Sequence, residues 1–261
     1  METILQFSGN IIVQFISYVG SIALLLGKTL QLIFVPPYKF HRIFKQFHNV
    51  GPGSFVIAAL VAFFIGMILA LQMAYQMVEL SAEIYIPGVV AVALTREMAP
   101  VLTALIVAGR VGAGMTAEIG SMTVTEQVEA IEAFAVNPVK YLVVPRFLAM
   151  TIMLPLLVIF ADLIGILGGF IICVYKLYIT PSLYWTMVTG ALSATDIFTG
   201  LIKAVFFGAM IALVGCHQGL NVRGGAEGVG RATTRSVVIS FILIIMADCL
   251  FTTTFYFIFD L

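Results

Sequence analysis

Four stretches of this chain are unbroken enough in hydrophobicity to cross a bilayer, which takes about 20 apolar residues. Residues 54–76 carry no charge, 147–174 carry only Asp162, 197–217 only Lys203, and 237–259 only Asp248. A fifth stretch, from Gly88 to about Thr116, holds Arg96, Glu97 and Arg110 in otherwise apolar sequence. The expected fold is therefore an all-α membrane protein with five transmembrane helices.

The first 35 residues follow a different pattern. Thr3, Gln6, Asn10, Gln14, Ser17, Ser21 and Lys28 fall within about 80° of one another at the helical repeat, and the rest of that surface is apolar. Such a helix either lies in the membrane interface or spans with its polar side against the bundle; the interfacial arrangement is the expectation. The chain then divides into an N-terminal interfacial helix and cytoplasmic connector (1–45) and a five-helix membrane domain (46–261). No basic region precedes the first apolar stretch, so a cleaved signal peptide is not expected.

Polar sequence returns between the second and third expected spans. Thr123 and Glu126 have the spacing of a capping box and predict a helix start, and Asn137-Pro138 predicts its end. Within this short helix, about 123–136, Glu126, Glu129 and Glu132 form an acidic stripe beside Val128, Ile131 and Phe134. Cytoplasmic membrane surfaces are negative and attract lysine, so the stripe points to a protein partner.

Composition agrees: 61% of the 261 residues are hydrophobic and 10% are charged, against about 25% charged in soluble domains. Zero net charge gives no electrostatic case for nucleic acid. Lys28, Lys39, Arg42 and Lys45, then Lys140 and Arg146, then Arg223, Arg231 and Arg235 stand against Lys176 alone in the opposite loops. Nine against one places 28–45, 122–146 and 218–235 in the cytoplasm and the C-terminus outside.

Candidate chemistry is sparse. Gly27-Lys28-Thr29 lacks the leading glycine of a phosphate loop, and Gly112-Ala113-Gly114 follows no strand, so no nucleotide site is read here. The glycine-rich segment 219–230 fits no such pattern and reads as a cytoplasmic turn. His41, His48 and His217 are scattered, and Cys173, Cys216 and Cys249 read as buried small hydrophobes. No metal, catalytic residue or bound cofactor is expected in this chain. Arg96 and Glu97 are the foremost site candidates: ionisable groups inside a span are costly unless they meet a wet cavity or a partner. Pro100 removes the hydrogen bond to the Arg96 carbonyl. Arg110 suits snorkelling or pairing with Glu118, and Asp162, Lys203 and Asp248 suit pairing inside the bundle. Ala104, Ala108, Gly112, Thr116 and Gly120 recur every four residues, as in close helix packing within one subunit or across a dimer.

Several segments together resemble the MlaE/YrbE family of ABC-transporter permeases. They are Leu94-Thr95-Arg96-Glu97-Met98-Ala99-Pro100, Gly109-Arg110-Val111-Gly112, Ala117-Glu118-Ile119-Gly120, Thr125-Glu126-Gln127, Asn137-Pro138, Pro145-Arg146 and Arg231-Ala232-Thr233-Thr234-Arg235. The resemblance implies a homodimer in the inner membrane and two cytoplasmic ABC ATPase subunits, carrying ATP and Mg, that grip Thr125, Glu126, Gln127, Glu129 and Glu132. It also implies an outer-side MCE-domain protein, and a phospholipid or similar cargo received in a cavity at Arg96 and Glu97. The alternative is an ion-coupled secondary carrier using Asp162, Lys203 and Asp248.

Overall fold

The computed structural model describes residues 2–36 and 40–259 and is helical almost throughout, with no strand among the described residues. Its helices are α1 (Glu2–Ile33), α2 (Phe40–Met77), α3 (Glu83–Val124), α4 (Gln127–Ala133), α5 (Val139–Tyr175), α6 (Pro181–Ala191), α7 (Ala194–Leu220) and α8 (Gly225–Phe259). Among the described residues six are long and apolar enough to cross a membrane: the stretch Ile16–Ile33 of α1, together with α2, α3, α5, α7 and α8. That is one more than the apolar runs alone indicated. Outward-facing Leu24, Phe64, Ile245 and Leu250 are more than half exposed, as lipid-facing side chains are.

Where α1 is described in side-chain detail, Tyr18 and Ser21 meet the bundle while Ser17 is exposed. Ser21 Oγ lies 2.8 Å from His217 Nε2 on α7, and Gln218 Nε2 donates to the Tyr18 hydroxyl at 3.0 Å. Lys28 stays exposed. The side chains of Thr3, Gln6, Asn10 and Gln14, which completed the stripe read from the sequence, lie outside the described residues.

Glycines set the closest helix contact. A Cβ on Gly66 of α2 would overlap the Gly165 carbonyl oxygen of α5, and one on Gly168 would overlap the Phe63 carbonyl oxygen. Lipid tails offer no hydrophobic drive toward helix pairing, so van der Waals contact between such bared backbones holds the pair. The small-residue row of α3 is used inside this one chain. Ala104 and Thr116 are fully buried and Ala108 nearly so. A Cβ on Gly112 would come 2.9 Å from Ile211 Cγ2, and one on Gly120 2.9 Å from Val222 Cγ2. Thr116 Oγ1 bonds to the Gly112 and Gly215 carbonyls at 3.0 and 3.1 Å and to Ser236 Oγ at 2.9 Å, joining α3, α7 and α8.

The break between α3 and α5 departs from the expected capping box. Thr123 is still inside α3, its hydroxyl donating to the Ile119 and Gly219 carbonyls at 3.0 and 3.1 Å. A residue that still continues one helix cannot be the non-helical cap of the next. The turn comes at Glu126, with φ of 58°, and α4 starts at Gln127 with no side-chain cap. It ends at Ala133, short of Asn137-Pro138, through Val136 N–H to the Ile131 carbonyl (3.1 Å) and Ala135 N–H to the Glu132 carbonyl (2.8 Å). This Schellman arrangement puts Ala135 at φ 56°. Asn137 opens α5 instead: its Oδ1 accepts from the Val139 and Lys140 N–H groups at 2.9 and 3.3 Å.

Because a left-handed conformation costs an L-residue about 1–2 kcal/mol, Ala135→Gly should stabilise the chain by about 1 kcal/mol. A rise in the thermal unfolding midpoint of detergent-purified protein checks this; a fall would contradict it.

Two elements were unforeseen. Helix α6 opens at Thr180-Pro181 and seats the fully buried Tyr184, whose hydroxyl donates to the Ile166 carbonyl at 2.7 Å. Burial away from water raises that phenol's pKa. The long start of α2 is the other: the helix runs from Phe40 through Pro52, so residue 45 lies within it. Cys173 and Cys216 are buried, but Cys249 is exposed, because it sits on the outer side of α8.

Candidate functional site

Helix α3 is not a regular helix. It widens into a π turn at Leu94–Met98 and again at Ala108–Gly112, and α5 begins with a third at Val139–Val143. Such turns mark functional positions more often than regular helix does. The first has a visible cause. Pro100 has no N–H for the Arg96 carbonyl, while the Ala99 N–H bonds to the Leu94 carbonyl, five residues back. The Arg96 carbonyl accepts from Lys203 Nζ on α7 at 3.3 Å.

Consecutive helical residues point about 100° apart, and Arg96 and Glu97 find different partners. Arg96 Nε pairs with Asp196 Oδ1. Glu97 Oε2 lies 2.6 Å from Lys203 Nζ, which is also 2.9 Å from Asp248 Oδ1 on α8 and 2.7 Å from Thr252 Oγ1. The Thr252 hydroxyl donates to the Glu97 carboxylate at 3.1 Å. Lys203 is thus the hub, its side chain 1% exposed, with two carboxylates, a hydroxyl and a carbonyl around one ammonium. Three helices, α3, α7 and α8, are tied at one point.

Gly200 makes this approach possible, since a Cβ there would overlap the Thr95 carbonyl oxygen. Asp196 holds a second post as well. Its Oδ2 accepts from the Ser193 N–H and hydroxyl at 2.8 and 2.9 Å, and its own N–H donates to Ser193 Oγ at 3.3 Å, forming the capping box of α7. Neither Asp196 nor Thr252 was singled out from the sequence. The Ser193-x-x-Asp196 spacing was a usable helix-start signal for the first; a lone threonine in an apolar run offered none for the second.

The cluster opens on one side, where Arg96 and Glu97 are each about 30% exposed. The cavity at its mouth is about 70 Å³, with Thr199, Phe255 and Tyr256 completing its walls. That accommodates about two waters, so a larger polar group would meet the rim rather than enter. Asp162 joins none of this: its Oδ1 is buried on α5 without a hydrogen-bond partner.

Arg110 does not find the partner expected for it. Glu118 is taken by Arg146, Oε2 to Nη2 at 2.6 Å, and Arg146 Nη1 also donates to the Leu142 carbonyl at 2.7 Å. Arg110 reaches α2 instead, donating to Ser54 Oγ at 3.0 Å over Gly53, where a Cβ would collide with the guanidinium. The reason is distance along the helix: Arg110 and Glu118 are eight residues, or about 12 Å, apart.

The charge count around Lys203 makes a prediction. Glu97→Gln leaves Lys203 with Asp248, and glutamine can still accept from Lys203 and Thr252, so stability should change by under about 1 kcal/mol. Arg96→Gln should likewise fold, because Asp196 keeps its Ser193 bonds. Thermal unfolding beside a transport assay checks this; stable protein with altered transport is expected from both, and normal transport in both would remove Arg96 and Glu97 from the site.

Residues 43–254 match the family model described as Permease MlaE. A "Probable ABC transporter permease protein" of Rickettsia felis is 42% identical over 248 residues, covering 95% of this chain and 96% of the relative. One from Synechocystis is 42% identical over 204 residues, 78% of each chain, and one from Porphyra purpurea is 41% identical over 194 residues, 74% of each.

Proposed function

The chain belongs to the MlaE family of permeases, and on that premise we propose that it is the membrane subunit of an ATP-driven ABC transporter for phospholipid or a similar hydrophobic lipid. It works as a homodimer in the inner membrane, with its C-terminus outside. ATP and Mg are bound and used by cytoplasmic ABC ATPase subunits, and lipid is exchanged with an outer-side MCE-domain protein. Arg96 and Glu97 form the polar rim of the cargo cavity.

One observation carries the ATP-driven reading. Between two spans, α4 keeps Val128 and Ile131 half-buried, and α4 with the turn before it leaves Thr125, Glu126, Gln127, Glu129 and Glu132 exposed, with Phe134 82% exposed beside them. A short helix anchored by its apolar side, with an acidic stripe and a bare aromatic ring, suits a cationic, partly apolar protein surface. It sits directly between α3 and α5, so displacement of α4 is passed to both helices that carry π turns. The ion-coupled alternative has less support, because Lys203 and Asp248 are engaged with Glu97 and Asp162 lies apart.

Reversing the stripe tests the assignment. Glu126→Lys with Glu129→Lys places like charges across the interface, which costs several kcal/mol. Co-purification of the ATPase subunits should drop on the order of a hundredfold while the permease still inserts. ATP-dependent lipid release from proteoliposomes should vanish with it. Stoichiometric ATPase and normal transport in this variant, or transport driven by an ion gradient without ATP, would overturn the proposal.

A further inference from the structure

At the end of the bundle opposite the Lys203 cluster lies a larger cavity, about 390 Å³, that the transport reading leaves unused. Its walls include Leu32 from the end of α1, Ile43 from the start of α2, Val136 from the turn after α4, and Val144 from α5. Arg42 and Lys140 also line it. Arg42 lies over the Tyr141 ring, 3.5 Å from its centroid, and donates to the Tyr141 hydroxyl. Lys140 Nζ donates to the Pro36 carbonyl at 3.0 Å. Among the described residues, neither cation has a carboxylate within ion-pair distance. Of the acids in adjoining cavities, Glu118 is committed to Arg146, and Glu132 lies in one that shares Leu32 and Asn137 with this cavity but makes no ion pair with Arg42 or Lys140.

The start of α2 gives an independent observation. At 100° per residue, Ile43, Phe44 and Phe47 fall within an arc of about 100°, and His41, Arg42, Lys45 and His48 within about 120° on the opposite side. Phe44 is 65% exposed, and His41 and Lys45 are exposed too. A basic amphipathic segment with an uncovered aromatic ring is built for the boundary between headgroups and acyl chains. The cavity sits at that boundary, between the last residues of one membrane-capable helix and the first residues of two others.

We infer that this cavity binds an anionic phospholipid of the bilayer, its phosphate between Arg42 and Lys140 and an acyl chain along Leu32, Ile43 and Val144. The site is separate from the cargo rim and does not depend on what the transporter carries. Its occupant joins α1, α2 and α5 next to α4, where the proposed ATPase force enters. Charge and shape choose together: two cations with no carboxylate partner among the described residues select an anion, and the apolar walls favour one with a chain over free phosphate or an acidic peptide.

Native mass spectrometry of the detergent-purified chain with added phosphatidylglycerol or phosphatidylcholine tests the inference. Phosphatidylglycerol should be retained in preference to phosphatidylcholine. Arg42→Gln with Lys140→Gln should weaken its retention roughly fivefold per charge removed. Arg42→Lys with Lys140→Arg should preserve it, which separates lost charge from lost fold. Equal retention of the two lipids, or unchanged retention in the glutamine pair, overturns the proposal. So does phosphatidylglycerol lost in Glu97→Gln but kept in the glutamine pair, since the lipid would then be cargo. Glycerol phosphate competing as well as the lipid would show a soluble-anion site. Loss of the ATPase with lipid retention unchanged would show a protein contact; either result also overturns it.

Discussion

Lys203→Met will destabilise this protein by about 3–5 kcal/mol, the usual result of removing one partner from a buried ionic group. The side chain is nearly inaccessible, and its ammonium stands between the Glu97 and Asp248 carboxylates. Without it, two negative charges face each other in a low-dielectric interior and the Arg96 carbonyl loses its donor. Yield of monodisperse protein should collapse. The compensating triple variant, Lys203→Met with Glu97→Gln and Asp248→Asn, should recover most of the folded protein, because neutral amides cost far less to desolvate than unpaired carboxylates. It should not recover transport if Glu97 serves the rim. Full stability in Lys203→Met alone would show that the cluster does not hold α3, α7 and α8 together.

Gly66→Val will have the second large effect. The α2–α5 contact has backbone against backbone at Gly66 and Gly165, and again at Gly168 and Phe63. A branched side chain at Gly66 cannot be absorbed by a rotamer change, since the obstacle is a carbonyl oxygen and not the end of a flexible side chain. The helices must separate, and the contacts beside Ala62 and Gly165 go with them. A loss of about 3 kcal/mol, at the upper end for overpacking, is expected as a lowered thermal midpoint with faster proteolysis of α2. Gly20→Val is the matched control, because nothing lies within 4 Å of a Cβ there. Equal behaviour of the two variants would show that the glycine contact contributes nothing.

Function and fold were unequally legible. The motif segments read as family signatures, and the structure gives them a physical form. Leu94–Met98 and Ala108–Gly112 are π turns, and Asn137 caps a helix whose first turn is a third. Hydrophobic periodicity has no term for a π turn, because one inserted residue shifts the helical phase without changing composition. The reading of Thr123 and Glu126 failed for a related reason. The spacing of a capping box was present, but Thr123 stays inside α3, where its hydroxyl donates to the Gly219 carbonyl of a distant helix, so it does not stand at a helix start.

By itself the sequence determined the all-helical membrane class, the family, and that Arg96 and Glu97 needed partners. These follow from local quantities: run length, charge against hydropathy, and the cost of an ion in lipid. Only the tertiary structure decided who the partners are. Lys203 and Asp248 each appear as a lone charge in an apolar run, more than 100 residues from Glu97, yet they share one site with it; Asp162, indistinguishable from them in sequence, does not. The row Ala104, Ala108, Gly112 and Thr116 announced a close contact, and the fold assigned it to α7 and α8 of the same chain. Helical periodicity shows which face a residue occupies; which helix covers that face, and at what height, is set by packing among segments far apart in the chain.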